Sequence, residues 1–107
     1  MSEPAAYRAV VEALLAEDPE IVEGQMMGMP ALKAGGKMFG GCFEERLVVK
    51  VGRERVAELM AAGRAEPFDP SGRDRPMKDW ARLKPPGDDW AVLAREALAA
   101  LAASRAR

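Results

Sequence analysis

Apolar residues recur at intervals of three and four from the start of the chain: Tyr7, Val10, Val11, Leu14 and Leu15 share one side of a helix over residues 4–16. Pro4 suits the first turn, Ser2 or Glu3 serves the N-terminus, and Asp18-Pro19 ends the helix. The period then changes. Residues 21–29 read as a first strand, Pro30 interrupts it, and residues 31–34 start a second. Gly35-Gly36 is a two-residue hairpin turn, and residues 37–43 are the return strand. Glu44-Glu45 is poor chemistry for a primed turn, so a looser connection is expected there. Residues 46–51 are the strongest strand, with Leu47, Val49 and Val51 on one face and Val48 with Lys50 on the other.

After Gly52 the helical period returns over residues 53–62, with Val56, Leu59 and Met60 facing inward and Gly63 as the C-terminal cap. Residues 66–70 are extended and anchored by Phe68, and residues 71–75 form a polar loop. Met77, Ala81 and Leu83 alternate, which makes residues 77–83 a last strand, although Asp79 breaks the pattern. Pro85-Pro86-Gly87 is a stop. Asp88 or Asp89 then caps a final helix whose stripe is Trp90, Leu93, Ala94, Ala97, Leu98 and Leu101, before a tail that frays from Ser104. The order predicts an α+β fold: a small antiparallel sheet of about four to six strands flanked by N-terminal, middle and C-terminal helices. The chain of 107 residues is expected to form one domain over residues 1–107, with its core over about residues 4–103.

Composition narrows the chemistry more than the fold. Apolar residues make up 49% and charged residues 31%, which suits a folded chain and argues against overall disorder. There is no His, Thr or Asn, and the only serines are Ser2, Ser71 and Ser104. A Ser–His or Cys–His pair is therefore excluded, as is imidazole ligation of zinc, nickel or iron. One cysteine, Cys42, rules out an internal disulfide and fits a reducing compartment. No basic segment precedes an apolar block at the start of the chain and no stretch is long enough to span a bilayer, so a cytoplasmic protein without membrane contact is expected.

The glycine-rich stretch from Gly28 to Cys42 resembles a phosphate loop only superficially. Met38 stands where such a loop needs Ser or Thr, and Cys42-Phe43 continues a strand where a helix should begin. These glycines read as positions where a side chain does not fit. Cys42, between Gly41 and Phe43, reads as a small core residue. Met26, Met27, Met29 and Met38 read as core filling, with copper binding through thioethers the disfavoured alternative. Asp88–Asp89, Glu44–Glu45 and Glu17–Asp18 are adjacent acids without the spacing of a carboxylate hydrolase or a calcium loop. No cofactor and no metal are expected.

Net charge is −1, yet the charges are segregated. Residues 1–24 hold six acids against Arg8 alone. Residues 67–84 hold Arg73, Arg75, Lys78, Arg82 and Lys84 against three aspartates. These five cations are the candidate interaction surface, and on a strand Lys78, Arg82 and Lys84 would share a face with Trp80. The alternative is an ordinary solvated strand face, with Trp80 packed under a helix.

Lys37-Met-Phe-Gly-Gly41, Leu47-Val-Val-Lys-Val51, Glu66-Pro-Phe-Asp-Pro70, Arg75-Pro-Met-Lys-Asp-Trp80 and the helix from Trp90 to Leu101 occur in an order that resembles the TfoX N-terminal domain family over about residues 7–101. The resemblance implies a small α+β domain with an antiparallel sheet and flanking helices, similar to the MmcQ/YjbR-like group. It also implies regulation: the namesake proteins are transcriptional co-activators of bacterial natural competence, with a second, helical domain after this one. The sequence here ends after the first. The family supplies no catalytic residues.

The expectation is a bacterial, non-enzymatic regulatory or adaptor domain acting through an unidentified protein partner. The basic segment and the acidic N-terminal helix would be its contact surfaces, and a homodimer joining the two is left open. The first alternative is direct nucleic-acid binding through residues 73–84, which the near-neutral charge disfavours. The second is a small-molecule-binding domain or an enzyme, which needs a pocket with convergent polar groups.

Overall fold

The computed structural model describes residues 4–26, 28–69, 72 and 76–105. Helix α1 (Ala5–Glu17) is followed by four strands, β1 (Ile21–Met26), β2 (Met29–Ala34), β3 (Lys37–Phe43) and β4 (Arg46–Lys50). Helix α2 (Arg53–Ala61), strands β5 (Ala65–Pro67) and β6 (Trp80–Leu83), a 3₁₀ turn (Gly87–Asp89) and helix α3 (Trp90–Arg105) complete the chain. The strands make one open antiparallel sheet in the order β1-β2-β3-β4-β6-β5. This is the expected α+β class.

The local signals set most boundaries. Pro4 precedes α1 as its N-cap, and Asp18 ends it by donating its backbone N–H to the Leu14 carbonyl. At the end of α2 the Arg64 N–H reaches the Leu59 carbonyl at 2.9 Å and the Gly63 N–H reaches that of Met60 at 3.1 Å, the paired bonds of a Schellman cap. Gly35 and Gly36 both have positive φ, 59° and 79°, as the β2–β3 turn requires.

Four expectations are corrected. The single strand over residues 21–29 is a hairpin: Met26 pairs with Met29, and Gly28 lies in the connection at φ 79°. Pro30 lies within β2 opposite Gln25, just ahead of the part of β2 that β3 pairs with, so its missing N–H breaks no β3 bond. The loose connection at Glu44-Glu45 is a two-residue turn between the paired Phe43 and Arg46. Both glutamates adopt positive φ, 50° and 67°, which strand pairing imposes against local preference. The last strand starts at Trp80, because Lys78 and Asp79 form a turn in which the Trp80 N–H bonds the Met77 carbonyl and the Asp79 carbonyl accepts from Val51 and Gly52.

Buried clusters lie on both faces of the sheet. Toward the helices, Tyr7, Val10, Val11 and Leu14 of α1 and Leu93, Ala94, Ala97 and Leu101 of α3 close over Leu32, Phe39, Cys42, Leu47 and Val49. A β-bulge lets Phe39 join them. Leu32 pairs with Gly40 and Lys33 with Met38, so Phe39 is the extra residue and reaches the same side as Cys42. Cys42 is buried in this cluster, as its setting predicted. On the opposite face Met29, Val48, Phe68 and Trp80 form a second cluster, edged by Met38, Phe43 and Met77. Here Gly41 meets its requirement: a Cβ on it would lie 2.7 Å from the Pro30 carbonyl oxygen and 3.1 Å from the methyl carbons of Met29 and Met38.

Among the described residues no polar or charged side chain is buried. Ion pairs instead pin neighbouring elements at the surface. Arg8 holds Glu23, Arg95 holds Glu17, and Arg55 holds Glu58 and Glu96. The guanidinium beside Glu17 keeps that carboxyl below its usual range, chiefly by hydrogen bonding. Asp89, expected as a side-chain cap, is instead bound through both oxygens by Arg64 at 2.7 and 2.9 Å. Arg64 also donates to the carbonyls of Lys84, Pro85 and Pro86, which fixes the entry to α3. Hydrogen bonding from Arg64 holds the Asp89 carboxyl below its ordinary value. No helix among the described residues is long and apolar enough to cross a membrane.

Candidate interaction surface

The basic segment does not assemble as one cationic strand face. Arg73 and Arg75 lie outside the described residues. Lys78 is in the turn before β6 and Lys84 is past its end, so only Trp80 and Arg82 share a strand face. Trp80 is 6% exposed and packs on Phe68 with ring centroids 5.8 Å apart, and Met77 packs against the same cluster.

Arg82 is occupied within the chain. Its guanidinium pairs with Glu44 at 3.2 Å and Glu66 at 3.4 Å, and it lies 5.7 Å from the Phe43 ring centre. Arg46 takes the same Glu66 oxygen at 2.6 Å. The Arg82 side chain is 20% exposed and ties β6 to Glu66 of β5 and to Glu44 of the β3–β4 turn. Lys84 is structural through its backbone: its N–H bonds the Arg64 carbonyl, and its carbonyl accepts from Arg64 and from the Trp90 indole. The expected acidic surface is also partly spent, since Glu17 and Glu23 hold Arg95 and Arg8.

Lys78 lines an apolar groove of about 210 Å³. The α2 side supplies Val56, Ala57 and Met60, the other wall is Pro67, Pro76 and Met77, and Trp80 contributes its ring. Among the described residues Arg53 and Lys78 are the polar lining side chains. Sequence reasoning placed Met60 inward with Val56 and Leu59. Leu59 turns to the core, while Met60 stands 41% exposed in the groove, four residues and one turn from Val56. The signal was present in the Val56–Met60 spacing, but the facing wall comes from Pro67, Pro76 and Met77 and no local pattern shows it.

A larger cleft of about 390 Å³ lies between α3 and the β4–α2 junction, lined by Phe39, Lys50, Gly52, Asp79, Ala100, Leu101 and Ser104. Its polar side chains are one ammonium, one carboxylate and one hydroxyl from three separate elements. Among the described residues no group of three His, Cys, Asp or Glu side chains is placed to hold a metal ion.

Fold and surface together define a small α+β domain in which charged side chains brace the elements and an apolar groove with a basic rim faces solvent. The sequence model of the TfoX N-terminal domain matches residues 13–103, nearly the whole chain, and the chain belongs to that family. No curated protein and no solved structure matches it. Family membership suggests a regulatory domain of the competence-regulator type.

Proposed function

We propose that this domain is a non-catalytic regulatory or adaptor unit that acts by binding another protein. The family match over residues 13–103 carries the reading, because the family's namesakes are regulators. The way the charge is used supports it. The Arg82 guanidinium, expected to reach outward, serves internal contacts, and among the described residues an apolar groove carries two cations at its rim. Such a surface suits a protein ligand better than a phosphate backbone, which calls for a basic excess.

Affinity capture from a lysate of the source organism, with and without nuclease, tests this. Capture of a defined protein that survives nuclease is the expected result. Capture that disappears with nuclease transfers the reading to nucleic acid, and capture of nothing in either arm refutes it.

A further inference from the structure

We infer that the groove between α2 and the chain leading into β6 seats an apolar side chain of a partner peptide that carries carboxylates on either side of it. This deepens the protein-binding reading and rests on it. The groove's volume of about 210 Å³ exceeds the ~150 Å³ that accommodates a benzene ring in a protein interior. An aromatic or branched aliphatic side chain therefore fits. Its floor is firm, since Val56 and Trp80 are buried and Trp80 is packed on Phe68. One wall is adaptable, because Met60 is an exposed thioether chain that repacks at low cost.

The charge of the partner follows from the rim. Among the described residues Arg53 and Lys78 line the groove and no carboxylate does. Seven arginine side chains are described, and Arg8, Arg46, Arg55, Arg64, Arg82 and Arg95 each hold a carboxylate of the chain. Among the described side chains Arg53 is the arginine that holds none, and Lys78 likewise has no ion pair. A guanidinium left unpaired where the six other described arginine side chains are paired, beside an apolar slot, fits a bidentate contact to an incoming carboxylate. Because net charge is −1, this attraction is local to the groove and is weakened by salt.

Selection of a random dodecapeptide display library against the immobilised chain tests the inference. Enriched peptides are expected to share one aromatic or large aliphatic residue with Asp or Glu within about three positions on both sides. A fluorescein-labelled synthetic copy of the enriched sequence then serves as the probe in anisotropy titrations. Ala57→Glu, at an exposed helical position in the groove, is expected to weaken binding about tenfold or more by excluding the apolar anchor. Arg53→Ala and Lys78→Ala are expected to weaken it about twofold to fivefold each and to reduce its salt dependence. Circular dichroism and urea midpoints of the variants check that each folds. On the wild-type chain, nuclear magnetic resonance shifts are expected at the Met60 methyl and the Trp80 indole N–H, a readout that no variant's folding affects. Enriched peptides without acidic flanks, probe binding unchanged by Ala57→Glu, shifts confined to other surfaces, or a groove filled by a second copy in sedimentation would each overturn the inference. Nuclease-resistant capture that Ala57→Glu leaves intact would also reject the groove while preserving the protein-binding reading.

Discussion

Gly40 and Gly41 are neighbours in one strand, yet alanine is expected to have opposite effects at the two. A Cβ at Gly41 would sit 2.7 Å from the Pro30 carbonyl oxygen, closer than any unstrained contact, and 3.1 Å from the methyls of Met29 and Met38. The methionines can turn aside, but the carbonyl belongs to the neighbouring strand and moves only with it. Overpacking of this kind costs about 1–3 kcal/mol. Against it stands the roughly 0.5–1 kcal/mol that alanine gains over glycine through lower unfolded-state entropy. Gly41→Ala should therefore destabilise by about 1–2 kcal/mol and lower Tm by about 5–10 °C. At Gly40 the nearest atom, the Val48 carbonyl oxygen, is 3.4 Å away and the Leu32 side chain 3.8 Å. Gly40→Ala should leave stability unchanged or raise it by up to about 1 kcal/mol. Urea unfolding followed by tryptophan fluorescence measures both, because Trp80 and Trp90 are 6% and 2% exposed and both emissions report the loss of burial. Adding Met38→Ala to Gly41→Ala should fail to restore stability, since the carbonyl contact remains. Equal midpoints for the two single variants, or a Gly41→Ala protein more stable than wild type, would refute the close-approach argument.

Phe68 is fully buried, 5.2 Å from the Phe43 ring centre and 5.8 Å from that of Trp80. Phe68→Ala should cost about 3–5 kcal/mol and abolish the near-ultraviolet circular dichroism of the second cluster, and a loss under 1 kcal/mol would show that the cluster is not packed as described. Glu45→Gly should stabilise by up to about 1 kcal/mol by relieving a left-handed conformation at φ 67°, read as a rise in Tm; a clear fall would contradict it. Asp89, held below its ordinary value by Arg64, contributes stability that is complete above its unfolded pKa of about 4 and drains away as pH falls through the lower folded value. The stability difference between wild type and Asp89→Asn, measured by urea unfolding, should accordingly shrink from pH 7 to pH 3, and a difference that stays constant would refute the Arg64–Asp89 contribution.

Elements with a strong local code were legible in the chain. The three helices, the Gly35-Gly36 turn, the opposed faces of Leu47–Val51 and the Gly63 cap follow from periodicity and from backbone needs that a few adjacent residues satisfy. The candidate surface was legible only in part. Lys78 was named and lines the groove, but Arg53, Ala57 and Pro67 were not, because nothing near them in sequence announces a partner across a gap. Arg82 read as an outward cation because its neighbours in sequence hide Glu44 and Glu66, 38 and 16 residues away.

The α+β class, the order of its elements and the lack of an imidazole were determined by the sequence alone, since each depends on residue identity or short-range spacing. The tertiary structure alone decided the strand order, the Phe39 bulge, the tight turn at Glu44-Glu45 and the pairing of six arginines. Those features arise where distant segments meet, and there the free energy of sheet pairing and burial outweighs the weaker preferences of single residues.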